Sequence, residues 1–276
     1  MREQNFFFLF ASFAVFARTN PFFLTNPKNP KMCIAVLAWQ AHPRWQLVVA
    51  ANRDEYHARP AAPLARWEKD DETGSGIIAG RDITGGGTWL GVHEAGRLVL
   101  VTNFRVEGYP QANRPSRGGL VTGLLTGDNP EKVPLAPYNP FNLFCADLSG
   151  ARFLSNHPAD ERGLLMPGVH GLSNGSFHLP WPKTRALSAA MQTWLGGEAE
   201  DPTALLTPLA NEKPIETDSQ GPEPRLSGIF IRDPIYGTRC STVVAIDRAG
   251  VGVMIERRFD ADGVGFGETR VGFRWG

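Results

Sequence analysis

Cysteine is scarce in this chain, with only Cys33, Cys145 and Cys240 among 276 residues. An odd number at wide, unpaired spacing excludes a disulfide framework and a cysteine-rich zinc site. Cys145 and Cys240 read as small buried residues. Net charge is missing as well: Lys+Arg and Asp+Glu are both 28. No basic field is available to hold a polyphosphate backbone, so nucleic acid is not an expected partner. The six histidines show no metal-ligand spacing. Gly85-Gly86-Gly87 lacks the Lys-Ser/Thr that ends a phosphate loop and reads as a tight turn approaching Trp89. The apolar run Phe6 to Ala17 falls short of the ~20 residues a membrane-spanning helix needs.

That apolar run is followed by an Asn- and Pro-rich stretch with no helical or strand period, and regular patterning begins abruptly at Cys33. Two readings stand. Val15-Phe16-Ala17 resembles a signal-peptide cleavage site, which would make the protein exported. Against it, cleavage there leaves a long stub before Met32-Cys33, and no lipoprotein-like motif precedes the cysteine. The favoured expectation is that translation starts at Met32 and that the working chain begins at Cys33 in the cytoplasm. Residues 1–31 then form a non-domain extension and 32–276 a single domain. Without the extension the domain carries 24 basic and 27 acidic residues, a formal charge of −3.

Within the domain, Cys33 to Trp39 and Trp45 to Ala51 are β-favouring apolar runs joined by a turn-like segment, a hairpin ending in the polar burst Asn52-Arg53-Asp54-Glu55. Arg59 to Trp67 reads as a loop, and Ile77 to Phe104 as a second β-rich block. Ser116 to Thr126 is expected to be a short helix with Ser116 as cap. Phe141 to Ala146 and Arg152 to Ser155 form another expected hairpin. Lys183 to Leu195 is the clearest amphipathic helix, ended by Gly196-Gly197, and Asp201 to Ala210 a weaker one. Glu212 to Pro224 is a loop. Strands return at Gly228 to Arg232, Thr238 to Asp247, Val251 to Arg258 and Val271 to Trp275. Near-continuous apolar strands are covered on both faces. The expected fold class is therefore α+β, mainly antiparallel sheets with helices packed outside them.

A cysteine opening the first strand behind a removable methionine has a specific chemical use. Once freed, the residue carries a thiol and an α-amine whose reference pKa is near ~8. One residue then supplies both nucleophile and base, and a neighbouring arginine favours the thiolate.

Several ordered motifs carry a family resemblance: Met32-Cys33-Ile34, Asn52-Arg53-Asp54-Glu55, Gly86-Gly87-Thr88-Trp89, Thr102-Asn103-Phe104, Gly171-Leu172-Ser173-Asn174 and Tyr236-Gly237-Thr238-Arg239. Together they resemble the NRDE family, also called the transport and Golgi organisation protein 2 family, from Met32 to the carboxyl end. The order of elements is similar, more distantly, to the amino-terminal-nucleophile hydrolases that cleave bile-salt and penicillin amides. That resemblance implies a layered αββα sandwich. It implies Cys33 as nucleophile, Arg53 beside its sulfur and Asp54 orienting the α-amine. Asn103 and Asn174 would donate to the oxyanion and the amine, and Arg239, with Arg232 as runner-up, would complete the site. The sequence departs from the hydrolases in one respect: Arg53 and Asp54 are adjacent, whereas theirs are separated. Adjacent side chains on a strand point to opposite faces. Both reach one site only if the strand ends or bulges there, and Asp54 and Glu55 stay interchangeable.

Two functions follow. One is an amidohydrolase cutting a linear carbon–nitrogen bond in a small, partly apolar substrate. The other is a non-catalytic binding or trafficking protein for a lipophilic ligand (lipid, acyl thioester or haem) on the same fold. The motifs call for no cofactor, and the chain lacks a Cys-x-x-Cys-His haem-attachment site.

Overall fold

The computed structural model describes residues 32–68, 76–216 and 224–276. The expected extension over 1–31 and part of the loop at 212–224 lie outside these residues. Its thirteen strands, numbered β1 to β13 in chain order, form two sheets that are antiparallel throughout.

The first sheet follows the order β10 (Gly168–Leu172), β1 (Ile34–Trp39), β2 (Trp45–Tyr56), β11 (Tyr236–Asp247), β12 (Val251–Phe259), β13 (Gly265–Arg274). The second is a sequential meander: β3 (Ala61–Arg66), β4 (Ile77–Asp82), β5 (Leu90–His93), β6 (Arg97–Asn103), β7 (Phe141–Asp147), β8 (Gly150–Ser155), β9 (Glu161–Leu165). Every residue of β1 is buried because both of its faces are covered. Its odd positions Ala35 and Leu37, with Leu47, Val49 and Ala51 of β2, enter the core between the sheets. Its even positions Ile34, Val36 and Ala38, with Val48 and Ala50, pack outward under helix α2 (Pro182–Gly196).

Helix α2 presents Leu187, Met191 and Leu195, spaced four apart, to that outer face. Pro182 starts it and Gly197 follows it, without a side-chain cap. Helix α1 (Arg117–Thr126) covers the outer face of the second sheet through Leu120, Val121, Leu124 and Leu125. The result is a four-layer αββα sandwich. Each fully buried Leu contributes about 1.5–3 kcal/mol, so the three aliphatic layers hold the sheets in register.

Several elements differ from the sequence reading. The β2 strand does not stop at the polar burst but runs through it to Tyr56, because β11 pairs with it along that whole length. Arg59 to Trp67, read as a loop, contains β3, which pairs β4 despite its Pro and Ala content. Residues 228–232, read as a strand, are a non-strand segment, buried as far as Ile231 and held by scattered bonds such as Phe230 N–H to Asn211 O and Ile231 N–H to Thr238 Oγ1. Asp201 to Ala210 yields only a 3-10 turn at 202–205 and one α turn at 206–209. Ser116 occupies the cap position of α1 but makes no cap bond. Strands β9 and β10 were not foreseen.

Candidate functional site

Strand register decides what surrounds Cys33. Ile34 sits opposite Asn52, so Cys33 meets β2 where the Asn-Arg-Asp-Glu run begins. On the other side Ala35 pairs with Leu172, which delivers Ser173 and Asn174 to the backbone of Cys33. Ser173 Oγ donates to the Cys33 carbonyl (2.7 Å), and Asn174 Oδ1 accepts from the Cys33 N–H (2.6 Å). Asn174 Nδ2 donates in turn to the carbonyl of Asn103 (2.7 Å), and Thr102 Oγ1 donates to Ser173 O (2.7 Å). The ends of β6 and β10 are thus stitched together at Cys33 although they belong to different sheets. Gly175 permits this turn to pack on Trp181, whose Nε1 would lie 2.6 Å from a Cβ there.

The polar run on β2 obeys strand alternation. Asn52 faces the outer layer, where its Nδ2 donates to Leu209 O (2.8 Å) and Ile229 O (2.9 Å) and its Oδ1 accepts from Ser241 Oγ (2.7 Å). It ties surrounding segments to the sheet. Arg53 continues the inter-sheet face and reaches across to β4, with Nη2 3.1 Å from Asp82 Oδ2 and 3.8 Å from Glu55. Its Nη1 is buried with no hydrogen-bond partner among the described residues. Arg59 completes this cluster on Asp82 (2.7 Å) and Glu55 (3.9 Å). Burial opposes ionisation of Asp82, but the Arg59 bond and the nearby cations hold its carboxyl below the usual range.

Asp54 lies on the opposite face. Its Oδ1 accepts from Thr238 Oγ1 (2.6 Å), and its carbonyl accepts from the Tyr236 hydroxyl (2.9 Å) and, weakly, from the Cys33 thiol (3.7 Å). Asp54 Oδ2 and Lys183 Nζ, both fully buried, have no hydrogen-bond partner among the described residues. Burial pushes the Asp54 carboxyl up to about 7, against the pull of Lys183 and Thr238. Burial likewise depresses the Lys183 ammonium.

Met32 belongs to the fold. It is fully buried against Trp181, Leu226, Ile231 and Tyr236, and its N–H donates to the Tyr236 hydroxyl. With this methionine attached, burial and the Asp54 charge push the Cys33 thiol up to about 12, against the weaker pull of Arg53.

Strand β2 runs on through Arg53 and Asp54, and the two side chains point to opposite faces. Glu55 lies with Arg53 and Arg59, whereas the Asp54 carboxylate meets Thr238 on the other face. A bulge does occur, but on β11, where Thr238 pairs with Asp54 and Cys240 with Arg53. The intervening Arg239 donates Nη1 to the carbonyls of Tyr56 (2.9 Å), His57 (3.2 Å) and Arg59 (3.0 Å). Arg232 lies elsewhere, paired with Glu212 at the surface.

A cavity of about 410 Å³ is lined by Cys33, Arg53, Asn103 and Arg239. Trp89, Val101 and Phe266 give it an apolar portion. Sequence reasoning missed Arg117, the first residue of α1, which also lines it. The triple-glycine turn explains its placement: a Cβ on Gly87 would sit 2.3 Å from the Gly118 carbonyl carbon, so the turn approaches the start of α1 rather than Trp89. Among the described residues no group of three or more His, Cys, Asp or Glu side chains is arranged to hold a metal ion, and no helix is long and apolar enough to cross a membrane.

With this geometry in place, comparison with known proteins gives a consistent picture. A family model described as "Transport and Golgi organisation 2" matches residues 32–261. The chain is 34% identical to the Transport and Golgi organization protein 2 homolog of Bos taurus, over 82% of this chain and 92% of that protein. It is 32% identical to the Homo sapiens homolog, over 87% of this chain and 97% of that protein. Among solved structures it is similar to the Caenorhabditis elegans ortholog of N-acylethanolamine-hydrolyzing acid amidase. The TM-score is 0.51 and the identity 13%, covering 76% of this chain and 92% of that chain. At that identity the likeness concerns the fold alone, the αββα sandwich of the amino-terminal-nucleophile hydrolases. The chain belongs to the transport and Golgi organisation 2 family.

Proposed function

We propose that the protein, once it begins at Cys33, is an amino-terminal-nucleophile amidohydrolase for a small, partly apolar substrate. The observation that carries this reading is the separate handling of the two ends of Cys33. Cys33 lines the cavity together with Arg53, and its N–H is held by Asn174 Oδ1. The orphaned Asp54 Oδ2 is an acceptor free for the new α-ammonium.

Removal of Met32 converts the Cys33 amide into an α-ammonium next to the thiol. That new charge favours the thiolate and counters the burial that now keeps the sulfur protonated. The thiolate attacks the substrate's amide carbonyl: a C–S bond forms and the carbonyl π pair moves to oxygen. Asn103 and the Asn174 amide act as donors to that oxyanion. As the tetrahedral species collapses the C–N bond breaks, and the α-ammonium passes a proton to the leaving amine. The neutral α-amine then takes a proton from water, hydroxide attacks the thioester, and the carboxylic acid departs with the sulfur restored. Asp54 and Asn174 orient the amine throughout.

The test is a chain engineered to start at Cys33, incubated with N-acyl amides and followed by intact mass. An acyl adduct on Cys33 with release of amine supports the reading, and its absence across neutral and charged amides contradicts it.

A second reading has its own observation. Met32 is comfortably buried and its N–H is already satisfied. A chain that keeps Met32 has a protonated thiol and no free amine. It would serve as a binding protein for a partly apolar ligand in the same cavity, in the cell interior if translation begins at Met32.

A further inference from the structure

The arginines around the cavity are not equally neutralised. Arg53 and Arg59 face Asp82 and Glu55, and Arg258 lies 3.6 Å from Glu256. Arg117 and Arg239 meet only main-chain carbonyls: Arg117 Nη1 donates to Pro140 O (3.0 Å), and Arg239 Nη1 is spent on the β2–β3 connection. No carboxylate pairs with either among the described residues. Burial weakens the hold of both guanidiniums on their protons, bringing Arg117 down to about 10, so both remain charged near neutrality. Arg53 adds a buried Nη1 without a partner, on a side chain only 10% exposed. Glu55 acts on both Arg117 and Arg239 without forming an ion pair and already faces Arg53 and Arg59; desolvated cations with no acid paired to them are costly unless something else supplies the countercharge. Arginine presents a planar fork of donors suited to carboxylate or phosphate.

We infer that the cavity binds a ligand carrying an anionic group, carboxylate or phosphate, which Arg117 anchors with help from Arg239 while the ligand's apolar part lies against Trp89 and Phe266. This rests on the proposed function only for the idea that the ligand's carbonyl meets Cys33. The anion site stands whether or not hydrolysis follows.

The test uses the full chain carrying Cys33→Ala, which cannot turn over, with binding measured by titration calorimetry. The probes are N-decanoylglycine, decyl phosphate and the neutral N-decanoylethanolamide. At least one anionic probe is expected to bind ten-fold or more tightly than the neutral one, and which anion wins identifies the source of the charge. Raising NaCl weakens only the anionic probes. The added substitution Arg117→Gln abolishes most of the preference, Arg117→Lys keeps part of it, and the surface change Arg257→Gln leaves it intact. Equal affinity for the neutral and both anionic probes, or a preference unmoved by Arg117→Gln in a variant with unchanged thermal unfolding, overturns the inference. A salt-insensitive preference also overturns it, and this measurement is available even if the Arg117 variants do not fold. Loss of hydrolysis in the Cys33-start chain would count against the proposed function and leave this result untouched.

Discussion

The two faces of β2 beside Cys33 handle charge in opposite ways. Toward the inter-sheet cavity, Arg53, Glu55, Arg59 and Asp82 form a network in which each charge has an opposite neighbour. Toward α2, Asp54 and Lys183 are fully enclosed and each leaves a polar atom unpartnered. Orphaned buried polar atoms are costly to fold around and rare in native proteins. Arg53 Nη1 is unpartnered too, but Arg53 has two acids beside it, whereas the Asp54 side is completed only when something polar joins it. The α-ammonium of a chain beginning at Cys33 is the group that the proposed function puts there.

The largest test of this contrast removes the atom where the two faces meet. Cys33→Ala in the Cys33-start chain is expected to lower amide hydrolysis by about 10³-fold or more, measured as amine release. Next in size is thiol reactivity. With Met32 attached and a thiol held up to about 12, alkylation by iodoacetamide at pH 8 should run about 10²-fold slower than in the Cys33-start chain. Because only the thiolate reacts, the rate in the Met32 chain should rise about ten-fold per pH unit from pH 7 to 10.

Adjacent residues should then move that rate in opposite directions. Asp54→Asn removes a charge that raises the thiol's pKa, so alkylation speeds up several-fold. Arg53→Gln removes one that lowers it, so alkylation slows. Changes of the same sign would break the two-face account.

Stability gives a quieter version of the same test. Asp54 titrates at about 7 in the folded Met32 chain, above its unfolded value near ~3.9. The native state therefore holds a proton that the unfolded state has lost between those values. The stabilising contribution is fully present below ~pH 4 and is lost as pH rises through about 7, by about 1.4 kcal/mol per pH unit within the window. Urea unfolding across that range should show the slope, and Asp54→Asn should flatten it. The smallest effect belongs to Asn52, whose three bonds are structural. Asn52→Ala should cost about 1–3 kcal/mol in urea unfolding and leave alkylation of the folded protein unchanged.

Much of the fold was legible because its signals are local. The apolar runs of β1, β2, β7, β11 and β12 and the four-residue stripe of α2 announce themselves by composition and period. What stayed hidden depended on partners far away in sequence. Strand β3 exists because β4 pairs with it, and β2 extends past its apolar run because β11 supplies a neighbour as far as Tyr56. The segment 228–232 has strand-like composition but no continuous partner, so its apolar residues are buried without joining a ladder.

The site divides similarly. Cys33, Arg53 and Asp54 could be marked by motif and chemistry, and alternation along β2 already separated the last two. Lys183 sits near the start of the amphipathic helix, where a lysine reads as solvent-facing, and only the packing of α2 on the first sheet encloses it. Arg117 carried no sequence signal, because its position depends on the contact between the triple-glycine turn and Gly118 at the start of α1.

The most direct test of the central claim is the intact mass and amino-terminal residue of the protein isolated from its own host. The account predicts a chain beginning at Cys33 with a free α-amine. A chain that retains Met32, or any residue before it, contradicts the nucleophile mechanism and leaves the cavity as a binding site.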